Sequence, residues 1–141
     1  MAETVAHRPA RPISIVRHPI SSLFLPVAVV CFVGALITDL SYLNSGGNLL
    51  WVNFSAWLLA AGLLFAAITL IIVLIDAVRG VPAWLAFGLL LVAWIVELIN
   101  SLVHARDGWT AVAGAGLILS IVGALLVLAA GWLGRATEVA P

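Results

Sequence analysis

Glu97 is an acidic residue within a long apolar stretch, and it begins a row of polar side chains with helical spacing. Asn100, Ser101 and His104 follow it at i+3, i+4 and i+7, so the four side chains share one face of a helix. Ionisable groups at membrane depth are costly and need a partner or a purpose. One interpretation is therefore a proton or ligand site in which Glu97 supplies the carboxylate.

Polar residues in two other apolar stretches fall at a similar depth. Asp39 and Ser41 lie near the end of the first stretch, and Asn53 and Ser55 lie near the start of the second. Together with the row on the third stretch, they predict a polar pocket that faces the outer side of the membrane. The candidate residues of this pocket are Asp39, Glu97, Asn100, His104 and Arg106.

The same residues have a structural interpretation. Glu97 or Asp39 would pair with Arg106 or His104, and the pair would hold the helices in register. We favour this interpretation for Glu97, because one embedded acid without a series of further acids is a weak basis for a conduction path.

His18 precedes the first apolar stretch, and Asp76 closes the second. An imidazole at this position is suited to capping the helix, to exchanging protons or to binding haem iron. A haem with two histidine ligands is disfavoured, because His104 belongs to the opposite face of the membrane. His18 and Asp76 are thus weak cofactor-binding candidates, and we expect no cofactor. Asp76 can instead form an ion pair with Arg79.

The elements that position these residues are membrane helices. The chain has 141 residues, of which 65% are hydrophobic and 9% charged, and its mean hydropathy is +1.26. A bilayer core about 30 Å thick requires roughly 20 apolar residues in a helix. Four stretches meet that length, at residues 20–43, 50–75, 82–103 and 109–133. Their short connections predict an all-α membrane protein, an up-down-up-down bundle of four transmembrane helices.

Arginine placement predicts the orientation of this bundle. The transmembrane domain is expected at residues 20–133, preceded by a polar tail at residues 1–19 and followed by one at residues 134–141. Five of the six arginines fall on the side of the tails, and only Arg106 falls on the other. Because cytoplasmic segments retain positive charge, both termini are expected in the cytoplasm and the chain in the cell (inner) membrane.

Small residues at helical spacing are expected to pack the helices closely. The second stretch carries Ser55, Gly62 and Ala66, and the fourth carries Gly116, Ser120 and Gly123. If the chain acts as an oligomer, the second and fourth helices would instead form the contacts between subunits.

Several functions are excluded or disfavoured by composition. The arginines are scattered, lysine is absent and the net charge is zero, so no basic surface for nucleic acid is expected. The single cysteine, Cys31, lies within an apolar stretch, and no zinc or c-type haem motif is present. Connections of about five residues leave no room for a lid or a nucleotide-binding element, and we expect no enzymatic activity.

Several short patterns resemble bacterial membrane proteins of domain-of-unknown-function family 2231. They are the His18-Pro19 pair with Pro26 after it, Asp39, the WLLAAG segment at 57–62, Asp76, Asn100 with Arg106, and AAGWLGR at 129–135. The resemblance covers roughly residues 18–135. It implies a multi-pass protein without a settled activity, and an association of some members with Rieske or cytochrome modules. The chain departs from the family pattern in lacking a histidine early in the third stretch and a histidine-containing tail, which weakens a haem or metal proposal.

These observations rank three functions. The first is a non-enzymatic membrane subunit or anchor for a membrane or redox partner. The second is a small transporter or channel that acts as a homo-oligomer and uses Glu97 and Asp39. The third is an oxidoreductase subunit that binds haem or quinone near His18 and Asp76.

Overall fold

The computed structural model describes residues 21–80, 84–106 and 110–136. The four long helices are α1 (Ser21–Asn44), α2 (Leu49–Val78), α3 (Trp84–His104) and α4 (Leu117–Ala136), and a short kinked segment, Val112–Gly116, precedes α4. All four stretches are long and apolar enough to cross a membrane. The prediction of four apolar helices packed as a bundle is confirmed.

The helices form a closed ring in which α1 packs on α2, α2 on α3, α3 on α4, and α4 on α1. The inside of the ring is apolar over much of its length. The core residues there are Ala28, Phe32, Ala35, Leu59, Ala66, Leu70, Leu90, Ala93, Val127 and Ala130. This core mixes alanines with larger side chains, which lets the helices approach closely without lipid between them.

The connection between α1 and α2 is a tight turn. Gly46 and Gly47 both have positive φ, at 71° and 91°, a conformation that side chains other than glycine rarely adopt. Asn48 then caps α2, because its side chain accepts a hydrogen bond from the Leu50 amide at 3.0 Å. The turn therefore sends α2 straight back along α1.

The fourth stretch is broken, which the apolar pattern did not predict. Ala113 (φ −64°, ψ 103°) and Gly114 (φ 98°, ψ −98°) leave the helical conformation, and the regular helix starts only at Leu117. Gly114 permits the break because its φ lies in the region that favours glycine. The break brings Gly116 against His104, since a Cβ at position 116 would lie 3.1 Å from the imidazole Cε1.

The small residues named from the sequence lie inside the bundle. Ser55 and Ala66 of α2 and Ser120 of α4 are 0% exposed, and the glycines at 62, 116 and 123 are buried as well. A Cβ at Gly62 would lie 2.5 Å from the Phe32 ring of α1, so this glycine allows the two helices to meet. These faces pack helices within the chain and are not available for contacts between subunits.

The outer surface of the bundle is apolar and suits contact with lipid. Trp57, Leu64 and Ile71 project from α2 at seven-residue intervals and are 72%, 60% and 60% exposed. Trp84 begins α3 and Trp132 lies near the end of α4, both exposed at the same end of the bundle. Indole rings prefer the membrane interface, which agrees with helices that cross the bilayer.

Candidate functional site

Asp39 lies at the centre of a buried group of polar side chains that joins all four helices. We call this group the buried polar cluster; its members are Thr38, Asp39, Ser55, Glu97, Asn100, His104 and Ser120, and each is at most 9% exposed. The Asp39 carboxylate accepts hydrogen bonds from Ser55 of α2 at 2.5 Å and from Ser120 of α4 at 2.5 Å. It also accepts one from His104 Nε2 of α3 at 2.9 Å.

Both ring nitrogens of His104 face acceptors. Nδ1 lies 3.0 Å from the backbone carbonyl oxygen of Asn100, which can only accept, and Nε2 lies 2.9 Å from Asp39 Oδ1. Nδ1 therefore donates, and with Asp39 ionised Nε2 donates as well, which makes His104 the cationic partner of the Asp39 carboxylate. The contact joins α1 to α3 by a buried ion pair in which both side chains have 0% exposure.

Asn100 links this pair to Glu97, which is buried more deeply along α3. The side-chain amide of Asn100 donates to Glu97 Oε2 at 3.0 Å and to Ser120 Oγ at 2.9 Å. The hydrogen bonds thus run in one direction, from Asn100 through the Ser120 hydroxyl to Asp39. Two acceptors in this branch, Glu97 Oε1 and Asn100 Oδ1, are buried without a hydrogen-bond partner.

Thr38 and Ser55 complete the cluster on the side of α1 and α2. Their hydroxyl oxygens lie 2.6 Å apart, and both also lie within hydrogen-bond distance of the Ala35 carbonyl oxygen, at 2.8 and 3.1 Å. Because each hydroxyl has one hydrogen and that of Ser55 goes to Asp39, it is Thr38 that donates to this carbonyl oxygen or to Ser55. A hydroxyl can meet its hydrogen-bonding requirement at a carbonyl oxygen of its own helix, so burying the Thr38 hydroxyl costs little free energy.

The cluster lies towards one end of the bundle. Asp39 is near the end of α1, Ser55 near the start of α2, His104 at the end of α3 and Ser120 near the start of α4. We call this the loop end, because it holds the α1–α2 and α3–α4 connections, and the opposite end the terminal end. The chain therefore alternates in direction, and α1 begins and α4 ends at the terminal end.

Apolar residues enclose the cluster on both sides. Towards the terminal end lies the core of ten buried residues described above. Towards the loop end lies a thinner layer of four, the loop-end cap, which consists of Tyr42, Val52, Ala111 and Val112. The structure thus contains a closed polar cluster where the sequence predicted a pocket facing outward.

Four of the five residues predicted to form the pocket come together, namely Asp39, Glu97, Asn100 and His104. The fifth, Arg106, follows the end of α3, and its side chain is exposed and outside the cluster. Of the two ion-pair partners considered from the sequence, His104 rather than Arg106 is the one that reaches Asp39.

The other residues named from the sequence lie apart from the cluster. Ser41 donates to the carbonyl oxygen of Ile37 in its own helix at 2.8 Å, and Asn53 is exposed. Asp76 is half-buried at the terminal end, far along α2 from Ser55. His18 lies outside the described residues, and so does any contact between it and Asp76.

Two members of the buried polar cluster, Thr38 and Ser120, were not predicted from the sequence as polar partners, and the close contact of Gly123 with Glu97 was not predicted either. Ser120 was assigned only to helix packing, yet it donates directly to Asp39. Gly123, one turn further along α4, lies against Glu97, because a Cβ at position 123 would overlap the Glu97 carboxylate. The sequence signal for Ser120 and Gly123 was the helical spacing of positions 116, 120 and 123, which places these residues on one face of the helix.

The donor set argues against a transition-metal or haem centre in the described residues. No group of three His, Cys, Asp or Glu side chains there could hold a metal ion. The only described histidine, His104, uses both ring nitrogens within the cluster and has none left for iron. The residues present therefore do not fit a haem at this site.

Comparison with known proteins gives one finding. The model of a family described as "Predicted membrane protein (DUF2231)" matches residues 17–139, so the whole cluster lies within the matched region. No curated protein and no solved structure matches the chain.

Proposed function

The chain belongs to the predicted membrane protein family DUF2231, and we propose that it is a non-enzymatic membrane subunit or anchor in the cell (inner) membrane. The observation that supports this proposal best is the buried polar cluster, which ties all four helices together and ends against an apolar core. Within the described residues, such a bundle is held together at a buried centre, and its apolar core leaves no polar path from one end to the other.

The outer face of α2 is the surface that we propose for a partner. This helix has 30 residues and a length of about 45 Å, well above the bilayer core of about 30 Å. Its exposed row contains Trp57, Leu64 and Ile71, which would contact the partner. The exposed Ile118 and Leu125 of α4 have the same seven-residue spacing, so the greater length of α2 and its exposed Trp57 are what favour α2. The partner is then a protein with at least one transmembrane helix.

Native mass spectrometry of the complex released from membrane vesicles tests this proposal. We expect a second protein at fixed stoichiometry with the 14.8 kDa chain. The Trp57→Ala, Leu64→Ala double variant should lose this partner. The matched double variant Ile118→Ala, Leu125→Ala, which alters exposed apolar residues on α4, should keep it. Recovery of only integer multiples of the chain would contradict the anchor proposal.

The orientation that we propose places both termini in the cytoplasm. It rests on the arginines, five of which lie at the terminal end or in the tails and one, Arg106, beyond α3 at the loop end. In a Cys31→Ser background, a membrane-impermeant maleimide added to intact cells should label Asn44→Cys, in the loop end, and spare Val78→Cys. Both positions are exposed, so the reverse pattern would show the opposite orientation.

A transporter or channel is the second candidate, and the two acceptors without partners, Glu97 Oε1 and Asn100 Oδ1, favour it. Passage through the bundle is opposed by the apolar core between the cluster and the terminal end. The unpartnered acceptors suit a bound ligand and the apolar core opposes its passage, so together they favour a site that binds a ligand without conducting it.

A further inference from the structure

We propose that the buried polar cluster binds one monovalent cation, a proton or Na⁺, at Glu97 and Asn100, and exchanges it through the loop end of the bundle. This goes beyond the anchor function, because it assigns a ligand and a responsive state to the centre that holds the helices together. Charge, hydrogen bonding and enclosure support it separately.

The charges of the cluster do not balance. Asp39 on α1 and Glu97 on α3 are acidic, and the only basic side chain within the cluster is His104. The partners that α2 and α4 contribute, Ser55 and Ser120, carry hydroxyl groups and no charge. Since His104 is paired with Asp39, an ionised Glu97 leaves one buried negative charge without a counter-charge. A buried unpaired charge is strongly unfavourable, and one bound monovalent cation removes it.

The polar atoms that lack a hydrogen-bond partner belong to Glu97 and to Asn100, which is hydrogen-bonded to it. Glu97 Oε1 and Asn100 Oδ1 belong to side chains with 0% exposure, and both are acceptors without a donor. Asn100 already uses its amide hydrogens on Glu97 Oε2 and Ser120, so it cannot supply the missing donor. A proton on the Glu97 carboxyl supplies a donor and removes the unpaired charge, and a Na⁺ beside the carboxylate would also neutralise that charge.

Access to the site is from one side. Glu97 lies seven residues, or about 10 Å, from the end of α3 at His104. Among the described residues, the four buried residues of the loop-end cap, with Trp51 and Leu117 packed against them, cover the cluster towards the loop end, whereas ten buried residues fill the bundle in the other direction. Two of the four cap residues, Ala111 and Val112, directly precede the helix break at Ala113 and Gly114. We therefore expect exchange past this segment.

Thermal unfolding of the detergent-solubilised full chain tests the proposal, because a cation that binds only the folded state raises the melting temperature. One series varies pH in choline chloride at constant ionic strength, and a second replaces choline with Na⁺ at fixed pH. If the ligand is a proton, the melting temperature of the wild type falls as pH rises and does not respond to Na⁺. If the ligand is Na⁺, the melting temperature rises with Na⁺ concentration.

Glu97→Gln separates this site from other titrating groups. The amide keeps the shape of the side chain and has no charge, so we expect the Na⁺ dependence to disappear and the pH dependence to shrink to the part that the His104–Asp39 pair contributes. Asp76→Asn removes the only other described carboxyl group outside the cluster and should respond as the wild type does. A wild type without either dependence, or a Glu97→Gln protein whose dependences equal those of the wild type, would overturn the proposal, and a buried water would then be the donor.

A second measurement on the unmutated protein covers the case in which Glu97→Gln does not fold. Infrared spectroscopy detects the C=O stretch of a protonated carboxylic acid, and ¹³C labelling of glutamate distinguishes a glutamate band from an aspartate band. Of the three glutamates of the chain, only Glu97 lies within an apolar stretch. We expect a glutamate band that base removes, or one that Na⁺ removes. Absence of the band at every pH, together with no Na⁺ effect on melting, would refute cation binding.

Discussion

Asp39→Asn should lower the free energy of unfolding by about 3 kcal/mol, the cost of leaving one partner of a buried ion pair alone. The Asp39 carboxylate accepts from Ser55, His104 and Ser120, which come from three different helices. An amide at this position presents two hydrogens to a surrounding of donors, so at least one bond becomes a repulsive contact. Reversible unfolding in mixed detergent micelles measures the loss.

A double-mutant cycle with His104→Gln shows how much of this loss belongs to the pair. Each single change leaves a buried charge, whereas the double change removes both, so the double variant should lose at least about 1 kcal/mol less than the sum. Ser41→Ala is the matched control on α1, because its hydroxyl bonds only within its own helix; we expect a change within about 0.5 kcal/mol. Additive losses for Asp39 and His104 would show that the contact does not hold the bundle together.

Much of this site could be predicted from residue spacing and depth. Helical periodicity placed Glu97, Asn100 and His104 on one face, and the structure buries all three on that face of α3. Depth along the apolar stretches placed Asp39 and Ser55 at the same level, and they are hydrogen-bonded. Both arguments work because a helix has a fixed rise and turn, so position along the chain converts directly into position in space.

The choice of partners could not be predicted, because it depends on where helices end and how they are rotated. Helix α3 ends at His104, so Arg106 follows it into the connection and stays exposed. The non-helical conformation at Ala113 and Gly114 sets the start of α4, and thereby the direction in which Ser120 points. A local break at a glycine leaves no trace in the apolar pattern, since small and apolar residues continue through it.

Gly123→Ala should destabilise the protein by about 1–3 kcal/mol, the usual cost of adding atoms to a packed interior. Glycine is the poorest helix former after proline, so a change to alanine in a helix ordinarily gains up to about 1 kcal/mol. At position 123 the added Cβ overlaps Oε1, Cδ and Cγ of Glu97, which is 0% exposed and fixed by Asn100. The carboxylate can move away only by giving up that hydrogen bond.

Gly131→Ala on the same helix is the matched control for Gly123→Ala, because its Cβ would meet only Leu25, at 3.9 Å. We expect Gly131→Ala to be neutral or stabilising, so unfolding measurements should separate the two variants by about 2 kcal/mol or more. The loss at Gly123 should also shrink in a Glu97→Ala background, where the overlapping atoms are gone. If the loss stays the same in both backgrounds, contact between α4 and Glu97 is not its cause. If the loss shrinks, the contact between Gly123 and Glu97 both lets α4 approach α3 and fixes the position of Glu97 Oε1. Helix packing and cation binding then depend on the same contact.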